Sequence, residues 1–133
     1  MTVNLVRSGR LYPGVPYAYA AVAPPGSLIF TAGACPLDDR GDVVGAGDVR
    51  VQASLAVANL ATALAESGAT LADVLKTTVY VASANREDLV TAWGVVRDRF
   101  GEHDAPSTLL GVTVLGYPGQ MVEVEAVAAL PQS

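Results

Sequence analysis

The sequence holds little of what metal sites, disulfide networks and nucleic-acid surfaces require. Its 133 residues include one cysteine, Cys35, and one histidine, His103, which excludes an internal disulfide framework and a histidine-rich metal site. Eight basic residues against 13 acidic ones give a net charge of −5, which disfavours binding to a phosphate backbone. No apolar run reaches transmembrane length, and the N-terminus lacks the long apolar core of a signal peptide. We therefore expect a cytoplasmic protein with no metal, cofactor, nucleic-acid or membrane partner.

Apolar residues dominate what remains. They make up 51% of the chain, whereas 16% of the residues are charged and 6% are aromatic. The length predicts one domain, residues 1–133, with enough apolar side chains to fold. A mean hydropathy of +0.38 is high for a small monomer, whose large surface is normally covered by charge. The apolar excess therefore predicts burial against another subunit.

Two long helical patterns interrupt a series of short β patterns. The first helix is predicted over residues 48–67, with Asp48 as its cap, Gly68 as its end, and Val51, Leu55, Leu60 and Leu64 near one face. The second helix is predicted over residues 86–100. Strands are predicted at 3–7, 17–22, 27–31, 74–82, 108–115 and 121–130. This order, β-β-β-α-β-α-β-β, predicts an α+β sandwich with both helices on one face of a mixed sheet.

Two local patterns refine this interpretation. Pro24-Pro25-Gly26 is a strong turn signal, which predicts a hairpin between the second and third strands. The last strand alternates cleanly, so Glu123 and Glu125 are expected on the face opposite its apolar residues.

Several segments of the chain are distinctive in their order and spacing: Pro16-Tyr17, residues 28–33, Gln52, Asn59, residues 66–69, 72–74 and 76–81, Pro106, and residues 122–128. Together they resemble the YjgF-type Rid family of reactive intermediate deaminases, also called endoribonuclease L-PSP. The resemblance implies a chorismate-mutase-like (YjgF-like) fold and a homotrimer with small-molecule sites in the three clefts between subunits. It also implies hydrolysis of enamines or imines to a carbonyl compound and ammonia.

The resemblance further implies roles for individual residues. Glu123 matches the glutamate that positions the attacking water. The arginine that pairs with the substrate carboxylate in this family is absent, and Thr108 takes its place. A hydroxyl cannot neutralise a carboxylate, so a neutral carbonyl, imine or amide ligand is expected to fit better than a 2-imino acid. The residues expected to line the ligand site are Tyr17, Gly33, Cys35, Trp93, Ser107 and Thr108.

Each of these residues also has a purely structural alternative. Glu123 is equally explained as a solvated acid on an exposed strand face. Trp93, at helical spacing, fits a core position, and Cys35 fits a buried, inert thiol. His103 lies in a polar turn and is expected at the surface. The arginines of the second helix, Arg86, Arg97 and Arg99, are expected mainly on a solvated face.

Three functions follow from these observations. The first is hydrolysis of a small enamine or imine by water held at Glu123. The second is non-catalytic binding of a small metabolite or docking of a partner, which the change from arginine to Thr108 favours. The third is ribonuclease activity, and the net charge of −5 counts against it.

Overall fold

The computed structural model describes residues 3–132 and confirms the predicted order of elements. Six strands and two long helices follow one another as β-β-β-α-β-α-β-β, with a short 3-10 turn, Leu71–Asp73, before the fourth strand. No helix within residues 3–132 is long and apolar enough to cross a membrane. The elements are β1 (Asn4–Val6), β2 (Ala20–Val22), β3 (Leu28–Phe30), α1 (Val49–Glu66), β4 (Val74–Val81), α2 (Arg86–Phe100), β5 (Ser107–Gly111) and β6 (Val122–Ala129).

The main sheet has four strands in the order β3-β6-β4-β5. β6 pairs antiparallel with both β3 and β4, whereas β4 and β5 run parallel, so the sheet is mixed as predicted. α2 connects the two parallel strands, because a parallel pair needs a long crossover. β5 is thus an edge strand, while β6, the last strand in the chain, lies inside the sheet.

The hairpin predicted at Pro24-Pro25-Gly26 is wrong. β2 pairs with β1 in a separate two-stranded sheet, and β3 pairs with β6, so this turn carries the chain between two sheets. Proline and glycine specify that the chain reverses. Which strand pairs with β3 depends on which apolar faces must be buried. A turn motif carries no information about that choice.

Helix α1 is capped as predicted, but its buried stripe differs. The Asp48 carboxylate accepts a hydrogen bond from the Val51 backbone N–H at 3.1 Å, and Gly68 follows the helix with a φ of +96°. Leu60 and Leu64 are buried as expected, whereas Val51 is 42% exposed. Small residues occupy much of the true stripe, which lets the helix approach the sheet closely. The buried stripe consists of Val49, Gln52, Ala53, Ala56, Val57, Leu60 and Leu64.

The predicted strand at residues 108–115 is shorter than expected. β5 ends at Gly111, and the Val112 N–H makes one more bond to the Val81 carbonyl at 2.8 Å. Val114, beyond this point, is 76% exposed. The residues after 112 have strand-forming character but lie past the end of their neighbour β4, and strands require a partner.

The two faces of the sheet differ in polarity and cover. The predicted alternation in β6 is confirmed, because Val122 and Val124 are buried in the core with the helices while Glu123 and Glu125 project from the opposite face. That opposite face also carries Phe30, which pairs with Val127 and is 73% exposed in the chain described here. Helices α1 and α2 therefore cover one face of the sheet and leave the other open.

Candidate functional site

Glu123 projects from the open face of β6 and is held by two hydrogen-bond donors. The side-chain amide of Gln120 donates to Oε1 at 3.1 Å, and the thiol of Cys35 donates to the same oxygen at 3.2 Å. Both bonds use one carboxylate oxygen, which leaves Oε2 available to accept from a water or a ligand. The structure thus fixes Glu123 in place, unlike a freely solvated surface acid.

Gly33 lies directly beside this free oxygen. A side chain at this position would overlap Oε2 of Glu123. The next residue, Ala34, exchanges two backbone hydrogen bonds with Val124 of β6, at 2.7 and 3.0 Å, and this pairing brings the segment against the strand. With no Cβ, glycine leaves room for the Glu123 carboxylate in its present position, and the lining of a ligand site by Gly33 stays a prediction.

Gln120 supports the carboxylate and was missed by the sequence analysis. Its side chain is 4% exposed and also donates to the Val122 carbonyl at 3.1 Å, while its Oε1 accepts from the Tyr117 N–H at 3.2 Å. A glutamine with both ends occupied cannot rotate freely, so it presents a fixed donor to Glu123. The signal available in the sequence was one polar residue directly before an apolar strand.

Cys35 donates a hydrogen bond to Glu123, and its surroundings disfavour the reactive thiolate. Burial, reinforced by the hydrogen bond to the Glu123 carboxylate, raises the pKa of the Cys35 thiol to about 11. The thiolate is the reactive form, and at neutral pH it is strongly disfavoured here. The alternative of an inert thiol is therefore the one that the geometry supports. We call Gly33, Cys35, Gln120 and Glu123 the carboxylate cluster.

The other predicted site residues lie together at the edge strand β5. We call this group the aromatic pocket, an open cavity of about 470 Å³ lined by Pro16, Tyr17, Trp93, Ser107, Thr108 and Leu109. The rings of Tyr17 and Trp93 meet edge to face, with centroids 6.5 Å apart. The indole N–H donates to the Ser107 hydroxyl at 3.4 Å, so Trp93 both packs on the core and lines the pocket.

The carboxylate cluster and the aromatic pocket are separate within one chain. Gly33 and Cys35 line a different cavity, of about 280 Å³, which also includes Asn59 and Tyr117. The strand β4 lies between β6, which carries Glu123, and β5, which carries Thr108. The structure therefore brings the predicted residues together as two groups.

Lys76 is a second functional candidate that the sequence analysis missed. Its ammonium group donates a hydrogen bond to the Thr108 hydroxyl, the position where the family resemblance leads one to expect arginine. The two residues are not directly opposite, because Thr108 pairs with Thr78 in the parallel register of β4 and β5. The long lysine side chain reaches along the sheet by two residues, a contact that only the register reveals.

Nearby charged groups are occupied or turned elsewhere. The Tyr80 hydroxyl donates to Glu125 at 3.1 Å, and burial together with this bond raises the pKa of Tyr80. Arg97 lies over the Trp93 ring, 5.9 Å from its centroid.

The prediction of a surface His103 is wrong, because the ring is half-buried and contacts the Val74 carbonyl at 2.7 Å. Within residues 3–132, no three His, Cys, Asp or Glu side chains are grouped as a metal ion would require.

Comparison with known proteins identifies the family. The family model described as endoribonuclease L-PSP matches residues 8–130. The RutC family protein slr0709 of Synechocystis is 33% identical over 134 residues, covering 98% of this chain and 99% of that protein. A 2-iminobutanoate/2-iminopropanoate deaminase of Salmonella typhimurium is 32% identical over 105 residues, covering 77% and 80% of the two chains.

The solved structures agree with the sequence relatives. The crystal structure of YyfB from Yersinia pestis, a protein of unknown function in the conserved Rid family, superposes with a TM-score of 0.87 at 28% identity. The match covers 98% of this chain and all of that one. Together with the mixed sheet, the two helices on one face and the glutamate of β6, these likenesses show that the chain belongs to the YjgF/Rid family.

Proposed function

We propose that the protein is a Rid-type homotrimer that binds a small carbonyl or imine metabolite between subunits and hydrolyses enamine or imine intermediates. The observation that carries this proposal is the division of the predicted site residues. One chain presents the carboxylate cluster on one side of β4 and the aromatic pocket on the other. A neighbouring copy that placed its aromatic pocket against the carboxylate cluster would complete one site from two halves. The open face of the sheet supports such an assembly.

The carboxylate cluster suits the hydrolytic step. In hydrolysis, the oxygen of a water bonds to the imine carbon as Glu123 accepts one of its protons. The electron pair of the C=N bond moves to nitrogen, and that nitrogen takes the proton from Glu123, which gives the carbinolamine. The C–N bond then breaks as the hydroxyl proton is transferred to nitrogen, so ammonia leaves and the C=O bond of the carbonyl compound forms. An enamine first tautomerises to the imine by gaining a proton at carbon and losing one from nitrogen. Because Oε1 is already occupied by Gln120 and Cys35, the proton acceptor would be the free Oε2 beside Gly33.

The test is ammonia release from enamines generated in situ, with the spontaneous rate subtracted. Glu123→Gln keeps the shape of the side chain but removes the base, so we expect a loss of about 100-fold in the catalysed rate with an unchanged melting temperature. Glu125→Gln is the matched control, since Glu125 is held by Tyr80, and it should retain most of the activity. Equal rates for wild type and Glu123→Gln would exclude Glu123 as the base.

Non-catalytic binding is the second candidate, and Thr108 is the observation that favours it. Without the arginine, the bidentate, charge-assisted contact to a substrate carboxylate is lost, and a carboxylate substrate should bind more weakly. A thermal-shift screen against neutral and acidic metabolites separates the two functions, because stabilisation without ammonia release supports binding alone.

Ribonuclease activity is the third candidate function. The net charge of −5 disfavours it, and a nuclease assay on wild type and Glu123→Gln would test it. The cytoplasmic location stays a prediction from the sequence.

A further inference from the structure

Three hydrogen bonds determine which way the side-chain amide of Gln120 faces. Its Nε2 lies 3.1 Å from the Val122 carbonyl and 3.1 Å from Oε1 of Glu123, and both of these groups only accept. Its Oε1 faces the Tyr117 N–H at 3.2 Å, a group that only donates. Turning the amide over would set an oxygen against two acceptors and an NH₂ group against a donor. The network therefore admits one orientation, in which Gln120 donates to Glu123.

The backbone around Gln120 is also held in place. Its N–H donates to the Tyr117 carbonyl at 3.0 Å and closes a turn. The residues on either side are bound by Gln52 of α1, which donates to the Gly119 carbonyl at 2.9 Å and accepts from the Met121 N–H at 2.6 Å. Gln52 and Gln120 are 0% and 4% exposed. A donor anchored to a buried side chain of a helix keeps its position, which a donor on a free loop would not.

The Glu123 carboxylate is consequently confined on both sides. Gln120 and Cys35 donate to Oε1, and the backbone of Gly33 lies against Oε2, where a Cβ would overlap it. The last torsion of a glutamate side chain has a broad energy minimum, so a carboxylate without such contacts turns easily. Of the two donors, the amide is the stronger, because a thiol is a weak donor. Gln120 is thus the group that most restricts the plane of the carboxylate.

We propose that Gln120 is a positioning residue for the hydrolytic reaction. By holding Oε1, it fixes Oε2 of Glu123 as the oxygen that accepts the proton of the attacking water. This inference rests on the proposed function and specifies the group that orients its base. A reacting group misplaced by about 1 Å loses up to about 100-fold in rate. The loss should appear in kcat and not in KM, because Gln120 acts through Glu123 and is assigned no contact with the substrate.

A purely structural role for Gln120 gives a different expectation. In that case its removal would weaken the turn before β6, and any loss of rate would be independent of Glu123. A double-mutant cycle separates the two roles, because an effect that passes through Glu123 disappears once that base has been removed.

The experiment measures kcat and KM for ammonia release from 2-iminobutanoate. An amino-acid oxidase generates this imine in situ, its amount sets the imine concentration, and the spontaneous rate is subtracted. Gln120→Met keeps the length of the side chain but has no N–H donor. We expect it to lower kcat about tenfold while KM stays within about twofold of the wild-type value. In the Glu123→Gln background, the same substitution should change the rate by less than about twofold.

Gln120→Glu is the second variant, because it keeps an acceptor for the Tyr117 N–H and loses only the amide donor to Glu123. Its kcat should fall at least as far as that of Gln120→Met, since two carboxylates would then face each other. Thermal melts identify which of the two variants is folded at the assay temperature, and the cycle is built on that variant.

Thr31→Val is the matched control. The Thr31 hydroxyl accepts from the Ala126 N–H of β6 at 3.0 Å, so this variant also removes a side-chain partner from the backbone near the site but leaves both donors of Glu123 in place. It should retain the wild-type kcat. A wild-type kcat in the Gln120 variant, or a tenfold loss that persists in the Glu123→Gln background, overturns the role of Gln120 and leaves the proposed function standing. A wild-type protein that releases no ammonia above the spontaneous rate overturns the proposed hydrolysis and this inference together.

Discussion

At the scale of single residues, the environment of Cys35 shows how burial and one hydrogen bond convert a reactive group into a structural one. The thiol of Cys35 and the side-chain amide of Gln120 both donate hydrogen bonds to Oε1 of Glu123. The protonated form of Cys35 is part of the native structure, so the protein should depend on pH through this residue.

The free energy of unfolding should fall as the pH rises from 9 to 11, and it should fall more steeply in the wild type than in Cys35→Ser. The pKa of a cysteine thiol is 9.0 when unperturbed and about 11 for Cys35 in the folded chain. Between these values the unfolded state has released a proton that the folded state retains, so rising pH favours unfolding. Serine keeps a donor for Glu123 without titrating in this range. Urea denaturation at several pH values measures the difference.

Tyr80 adds a contribution of the same sign, because burial and the bond to Glu125 raise its pKa as well. That contribution is present in both proteins and cancels in their difference. Parallel curves for wild type and Cys35→Ser would show that the thiol does not titrate with a raised pKa.

The sequence predicted some of these residues and missed others for a definite reason. The face on which Glu123 lies follows from strand alternation, which is a local pattern, whereas the site roles expected of Glu123 and Gly33 came from the family resemblance. Gln120 and Lys76 act through side-chain contacts that cross a turn or a strand pair. Such contacts depend on register, and register is set by the packing of the whole sheet.

At the scale of elements, helix α1 organises the loops around the site through one buried side chain. Gln52 is 0% exposed and donates to the carbonyls of Gly45 and Gly119, at 3.2 and 2.9 Å. Its Oε1 accepts from the Met121 N–H at 2.6 Å. One glutamine thus ties the loop before α1 and the loop before β6 to the helix.

Replacing Gln52 by leucine should lower the free energy of unfolding by about 3 kcal/mol, because three backbone groups lose their hydrogen-bond partner on a fully buried side chain. Leucine has a similar size, so the loss reports hydrogen bonding more than volume. Arg50→Ala, at an exposed position on the same helix, should change stability by about 0.5 kcal/mol or less. Chemical denaturation measures both variants. A Gln52→Leu protein as stable as the control would mean that water replaces the side chain without cost.

The element order was predictable because both helices and the last strand have long, regular patterns. The partner of β3 was not predictable, since Pro24-Pro25-Gly26 indicates a reversal and β3 pairs with a strand almost a hundred residues away. The end of β5 was missed for the same physical reason. Val114 has strand propensity, but its neighbour β4 has already ended.

At the scale of the whole molecule, part of the apolar excess in the composition is found as exposed side chains on the open face of the sheet. Phe30 and Leu110 are exposed there in one chain, as is Val114 in the segment that follows β5. The helices cover the other face, so the surface available for another copy is the one that bears the carboxylate cluster. A homotrimer assembled through this face would bury apolar area and complete the site in one step.

Phe30→Glu should dissociate the proposed trimer into monomers, because a charge at that position would have to be buried without a partner. Sedimentation velocity should show a trimeric mass for the wild type and a monomeric mass for the variant. Val90→Glu provides the control, since Val90 is also apolar and exposed but lies on α2, on the other side of the sheet. A wild type that sediments as a monomer would contradict the trimer, and an unchanged Phe30→Glu assembly would place the interface elsewhere.

The interior position of β6 has a consequence for how the protein is made. During synthesis, β3 and β4 are both translated before β6, the strand that pairs with each of them. Until it arrives, both strands expose an unpaired edge, which is the kind of surface that recruits other chains. A nascent chain that stops before residue 122 therefore lacks both Glu123 and the interior strand β6, and its two open edges need protection until β6 has been made.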